Sequence, residues 1–226
     1  MRPKLALALL SALALAGCGG SSSSSSSSSA STSSAAASAS STTGSPSPSL
    51  GTIGPEGILL EHGPVLAPAS STNPSGTVDG IQCAPVEQLA YHVHAHLQVY
   101  VDGQPQTLPE GIGIPGAVAQ QTPQGSFVGN GRCFYWMHTH TTDGIIHIES
   151  PTAQIYSLGT FFDIWGQRLS SHQVAGATGT VTAYLNGRRW TKDPRAIPLE
   201  AHFVIQLDVG KPLVPYVKVS FGNSGL

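Results

Sequence analysis

The sequence predicts an α+β fold dominated by strands: a mixed or antiparallel sheet with one main helix. Three observations point there. Apolar and polar residues alternate in runs that stop at Asp102-Gly103, Asp143-Gly144 and Asn186-Gly187, dipeptides that supply the positive φ a tight hairpin turn needs. One segment, after Ser157, carries helical spacing. Charged residues make up only 10% of the chain, which suits a compact, strand-rich domain outside the cytoplasm.

The chain begins with Arg2 and Lys4 as a short basic region, followed by Leu5 to Leu15, an apolar stretch too short to span a bilayer. Leu15-Ala16-Gly17-Cys18 comes next and resembles a bacterial lipobox. The resemblance implies cleavage before Cys18, lipidation of that residue, and a mature protein anchored to the membrane rather than spanning it. Gly19 in place of Asp resembles lipoproteins sent to the outer membrane of two-membrane bacteria.

Residues 19 to about 75 read as a flexible tether. Nine consecutive serines, Ser21 to Ser29, run into Ala/Ser/Thr and Ser-Pro stretches with almost no apolar surface to offset backbone entropy. Within this region the Gly- and Pro-rich residues 51 to 75 retain one piece able to dock on a domain, Ile58-Leu59-Leu60. The remainder, 76 to 226, has the size of one globular domain. Loss of Arg2 and Lys4 from 10 basic residues, against 12 acidic ones, leaves a formal balance of −4. With no basic stripe or aromatic-interleaved patch, nucleic acid is not an expected partner.

Two thiols remain once Cys18 is set aside, and each lies just upstream of a histidine run. An export route makes a Cys83–Cys133 disulfide the expected pairing, closing a loop of about 50 residues and clamping the two runs side by side. The competing reading is a thiolate ligand in a Cys/His copper site.

Six of the nine histidines fall in those runs, Tyr91-His-Val-His-Ala-His-Leu97 and Met137-His-Thr-His-Thr-Thr-Asp-Gly-Ile-Ile-His-Ile-Glu149. Alternation puts His92, His94 and His96 on one face of a strand that continues to a turn at Asp102-Gly103. In the second run, a two-residue turn at Asp143-Gly144 sets His140 opposite His147 and His138 opposite Glu149, all on one face. Three neutral nitrogens and a carboxylate suit a transition metal, copper or zinc foremost, with manganese or iron also compatible. His92 and His96 are about 13 Å apart along an extended strand, so two adjacent sites, or one site with supporting histidines, are expected. A metalloenzyme whose metal keeps an open position, with Glu149 as general base, and a surface interaction module in which the histidines form a hydrogen-bonded network without metal, are the rival readings. Met137 projects to the face opposite His138, and His62 and His172 stand apart.

Residues 104 to 132 read as a long loop with short extended pieces at 106–108 and 112–114. Ser157 is a predicted N-cap for a helix from Leu158 to Trp165 or Leu169. Strands are predicted from Val181 into Asn186-Gly187, from Ala201 to Asp208, and as an edge strand from Pro215 to Phe221. Strand, helix, strand and strand after residue 144, with an isolated helix against a mixed sheet, resembles a β-grasp arrangement.

The pieces His92-Val-His-Ala-His-Leu97, Val101-Asp-Gly103, His138-Thr-His140, Gly144-Ile-Ile-His-Ile-Glu149, Phe161-Phe162, Trp165-Gly166 and Tyr184-Leu-Asn-Gly187 span most of the folded region. Together they resemble an uncharacterised family of exported prokaryotic proteins, which implies export but neither an activity nor a ligand. Trp136-Met-His-Thr-His140 is similar to a segment of multicopper oxidases, yet their His-Cys-His motif is missing downstream. The His/His/His/Glu set is similar in kind to a cupin site, in a different order.

Overall fold

The computed structural model describes residues 51–69, 76–222 and 224–226, all within one compact unit. Cys18, the serine run and residues 70–75 lie outside the described residues. Ten elements position the site: β1 (Tyr91–Val101), β2 (Gln104–Gln106), β3 (Val118–Thr122), β4 (Gly125–Asn130), β5 (Met137–His138), β6 (Ile145–Ser150), α1 (Leu158–Trp165), β7 (Val181–Leu185), β8 (Arg188–Trp190) and β9 (Val204–Val209). No helix among the described residues is long and apolar enough to cross a membrane.

The main sheet runs β8-β7-β9-β1-β6-β5, with β2 pairing the C-terminal end of β1. The central pair β1 and β9 is parallel, and its other neighbours are antiparallel. With α1 lying between β6 and β7 in the chain, this is a β-grasp order. It includes the N-terminal histidine strand and not only the C-terminal half that the sequence suggests.

Local chemistry explains most elements. Asp102 and Gly103, and likewise Asn186 and Gly187, all take positive φ, so both hairpins close on the turns expected of them. The Ser157 hydroxyl accepts from Thr160 N at 3.1 Å and caps α1, while Gly166 ends it in the left-handed region at φ 72°. Leu158, Phe161, Phe162, Ile164 and Trp165 bury the helix against Ala95, Leu97 and Val99 of β1, Ile146 and Ile148 of β6, and Ile205, Leu207 and Val209 of β9. Each such side chain contributes about 2 kcal/mol of burial.

Alternation then forces the other face of the sheet to be polar. It carries His92, His94, His96, Gln98 and Tyr100 on β1, His147 and Glu149 on β6, and Gln206 and Asp208 on β9. Segments from both ends of the described chain cover this face. Within residues 51–69, grouped with the tether from sequence, the piece expected to be able to dock does so: Ile58 is buried with Ile145, Val204 and Phe221, and Glu61 N donates to Thr142 O, so more of this segment packs on the domain than its composition suggests. The apolar Ile58 drives that docking, the β-bridge Val65↔Thr107 registers the segment on the domain, and the bridge Ile53↔Leu59 folds the segment on itself.

At the other end, 215–221 is not the edge strand the sequence suggests. Its backbone bonds side chains on the sheet face: Val217 N donates to Gln206 Oε1, and Val217 O accepts from Gln98 Nε2. The loop expected over 104–132 contains the β3–β4 hairpin, whose Gln- and Gly-rich composition hides it.

Candidate metal centre

The expected Cys83–Cys133 disulfide is present, with Cα atoms 5.4 Å apart, which removes the thiolate-ligand reading. An isolated bridge pairs Ala84 with Phe134 next to it, so the bond ties the approaches to the two histidine runs together.

The second run is placed differently from the expected register. β5 and β6 pair Met137↔Ile148 and His138↔His147, so His138 rather than His140 faces His147, a slide of two residues. Asp143 is absent from the positive-φ residues, and its Oδ1 accepts from Ile145 N at 3.0 Å, so a type I′ turn does not form at Asp143-Gly144. Residues 139–142 leave β6 because other segments satisfy their backbone: Thr139 bonds Gly111 and Ile112, His140 O accepts from Val128 N, and Thr142 O accepts from Glu61 N. A shift of two preserves side-chain parity. His138, His140, His147 and Glu149 therefore still converge, with one ligand-capable atom of each within 4.8 Å of the others.

The imidazole orientations are fixed from behind. His138 Nδ1 is 2.9 Å from Tyr135 O, and His140 Nδ1 is 2.5 Å from Val128 O. A carbonyl oxygen only accepts, so each Nδ1 bears the proton. Burial, reinforced by neighbouring histidines, lowers the pKa of both rings and keeps them neutral. Each Nε2 is then a lone pair, and the two stand 3.2 Å apart with no proton between them. Phe127 of the β3–β4 hairpin stacks on His140 at 4.9 Å, so the hairpin missed in the sequence steadies this ligand.

Glu149 lies between the runs, directly across from His92 in the β1–β6 register. Its Oε1 is 3.0 Å from His92 Nε2 and 3.3 Å from His147 Nδ1. Its buried Oε2 has no hydrogen-bond donor among the described residues and sits 3.8 Å from His138 Nε2. An orphaned carboxylate oxygen beside unprotonated nitrogens fits a cation.

His147 has the opposite character from the other rings. Burial disfavours its charge, but the hydrogen bonds it donates to Glu149 and Glu56 outweigh that and push its pKa up to about 9. Glu56 Oε1 lies 2.7 Å from His147 Nε2. Burial also works against the Glu56 charge, yet the hydrogen bond and charge of His147 hold its carboxyl below the ordinary value. Asp143 is pushed up to about 7 by burial and then by the Glu56 charge. Glu87, a half-buried residue, has its Oε1 3.7 Å from His140 Nε2. Neither Glu56, in the run Gly54-Pro55-Glu56-Gly57, nor Glu87, in a short loop, was singled out from sequence, because an isolated Glu carries no periodic signal.

The first histidine run divides. His94 Nε2 approaches His147 Nδ1 at 3.1 Å, and His92, His94 and His147 form a second group with ligand-capable atoms within 4.8 Å. His94 is held neutral by burial and then by His147, its pKa lowered to about 3. His96 joins neither group. Its ring is buried beside Gly144, hydrogen-bonds the Asp143 backbone, and lines a cavity of about 620 Å³ with Glu61, Gln98 and Tyr100. Met137 is buried in the core on the far face, and Ile146 and Ile148 pack with it.

No protein-family model, curated protein or solved structure matches the chain. The fold and site define a β-grasp domain whose polar sheet face carries a buried His/Glu group able to hold a metal ion.

Proposed function

We propose that this chain is a lipid-anchored extracytoplasmic metal-binding protein that holds copper or zinc through His138, His140, His147 and Glu149. One observation carries the reading: two Nε2 lone pairs face each other at 3.2 Å while both rings spend their only N–H on backbone carbonyls. Without a cation between them that contact is repulsive. A tetrahedral ion with Zn–N bonds of about 2.05 Å holds its nitrogens about 3.3 Å apart. The carbonyls behind the rings, and Glu56 behind His147, match the partners that orient metal-bound imidazoles. Imidazole with one carboxylate favours zinc or copper over the oxygen-preferring cations.

The lipobox-like run ending at Cys18 and the Cys83–Cys133 disulfide support an anchored, extracytoplasmic setting, at the outer membrane where the cell has two. A histidine network without metal leaves the facing lone pairs unexplained. The test is elemental analysis of the chain purified without a His tag from medium supplied with zinc and copper. At least one equivalent is expected, falling by orders of magnitude in affinity in His140→Ala and unchanged in His62→Ala. A wild-type protein without metal, or His140→Ala binding as tightly as wild type, overturns the proposal.

A further inference from the structure

Resting on the metal-binding reading above, we infer that the cluster is a two-ion centre in which the two oxygens of Glu149 bridge one ion, held by His138 and His140, to a second that takes over His147 together with His92 and His94. The ligand atoms sort themselves onto the two sides of that carboxylate. On the Oε1 side stand His92 Nε2 at 3.0 Å and His147 Nδ1 at 3.3 Å, with His94 Nε2 a further 3.1 Å from His147 Nδ1. On the Oε2 side stands His138 Nε2 at 3.8 Å, with His140 Nε2 3.2 Å beyond it. The spacings, 3.0 to 3.3 Å on the Oε1 side and 3.2 and 3.8 Å on the Oε2 side, bracket the separation of about 3.3 Å that one tetrahedral ion imposes on its own ligands. Five imidazoles exceed what one tetrahedral ion can use. Two ions bridged by a carboxylate, about 3.5 to 4 Å apart, use all five.

The protein supplies what such a pair requires. Oε2 is buried with no donor among the described residues, whereas a carboxylate serving one ion through Oε1 would need a hydrogen bond at its second oxygen. His147 presents Nδ1 to the His92 side while Glu56 takes Nε2, which makes it a ligand of the second ion backed by a carboxylate. The first ion then keeps His138, His140 and Glu149 Oε2, and its fourth corner is left for water. The two sites differ in access as well. The His92 side chain is 38% exposed and that of His138 is fully buried, so the second ion exchanges faster.

Equilibrium dialysis of the full chain against Zn(II), followed by elemental analysis, reads the stoichiometry. Two equivalents are expected in the wild type, one in His92→Ala/His94→Ala and one in His138→Ala/His140→Ala. Near-UV circular dichroism checks that each variant folds. The half-exposed His92→Ala alone keeps the test open should a double variant unfold: it should weaken the second equivalent at least tenfold and leave the first unchanged. Loaded with two equivalents of Cu(II), the wild type should show an electron paramagnetic resonance signal well below its copper content, because adjacent bridged ions couple. In His92→Ala/His94→Ala the signal should account for all the copper. A wild type that stops at one equivalent overturns the second ion and leaves the metal-binding reading standing, and one that binds none overturns both. Two equivalents with a fully integrating signal overturn the shared carboxylate.

Discussion

Glu56 shows how a single residue outside the histidine motifs can set the state of the site. Its carboxylate holds His147 by Nε2, which directs Nδ1 toward the ligand cluster. Glu56→Gln keeps a hydrogen-bonding group but removes the charge, and losing such a partner of a metal-bound imidazole costs about 10- to 100-fold in affinity. Competition against a zinc chelator measures this, and an unchanged affinity would show that Glu56 merely caps a buried ring. The shared face of His138, His140, His147 and Glu149 was legible from parity alone, because a slide of two residues leaves it intact. The Glu56 contact was not, because it joins residues 91 positions apart in a segment whose composition resembles a linker.

His96 lies on the same strand face as the ligands, but no neighbouring histidine adds to the effect of burial on its ring. Burial lowers its pKa to about 4, with the Asp143 backbone hydrogen bond opposing. In the unfolded chain it protonates near the ordinary value of about 6.5. Between those values the unfolded state takes up a proton that the folded state refuses. The stability that neutral His96 contributes is therefore complete above pH 6.5 and declines as pH falls toward 4. The wild type should lose its advantage over His96→Gln by up to about 1.4 kcal/mol per pH unit across that window. Urea unfolding of both proteins at several pH values measures the difference, and a difference that does not vary with pH would place the His96 ring in contact with water.

Among the elements, the turn after His140 shows why sequence located the ends of strands better than their registers. Asp102-Gly103 and Asn186-Gly187 close hairpins as expected, because both residues of each pair adopt positive φ. At Asp143-Gly144 only the glycine does, since the Asp143 side chain bonds Ile145 N and the preceding residues bond three other segments. Those partners come from residues 109–114, β4 and the 51–69 segment, none of which local pattern could place there. Gly144 is needed for close approach as well as for its φ of 79°: a Cβ there would lie 2.6 Å from Leu97 O, 2.7 Å from Glu61 Oε1 and 2.9 Å from His96 Nε2. Gly144→Ala should destabilise the fold by about 1 to 3 kcal/mol, through left-handed strain and displacement of the turn from β1. Denaturant titration reads this as a lower midpoint at constant slope, and an unchanged midpoint would mean that the turn can relax without disturbing the sheet.

At the scale of the whole molecule, the two sheet faces divide the work. The apolar face under α1 builds the core, and the polar face, closed by the 51–69 and 211–221 segments, builds the site. Alternation along β1 made this division legible in the sequence, but the covering segments were less so: the backbone at Val217 bonds side chains on the sheet face rather than a neighbouring strand, and in 51–69 only Ile58-Leu59-Leu60 carried a docking signal. One consequence is thermodynamic. The ligands come from β1, from β5 and the turn after it, and from β6, with Glu56 contributed by the covering segment, so the assembled site exists only in the folded chain. An ion that binds only this state stabilises it by about 2.7 kcal/mol when present at 100 times its dissociation constant. For a domain of this size each kcal/mol raises Tm by about 2 to 4 °C, so zinc should raise Tm by roughly 5 to 10 °C per ion bound. Calorimetry with zinc and with a chelator tests this at fixed pH, with the disulfide intact so that its own contribution of about 4 kcal/mol stays constant. The rise should vanish in His138→Ala/His140→Ala/His147→Ala and persist in His172→Ala. A rise of equal size in the triple variant would place the stabilising ion away from the sheet face and refute the cluster as the binding site.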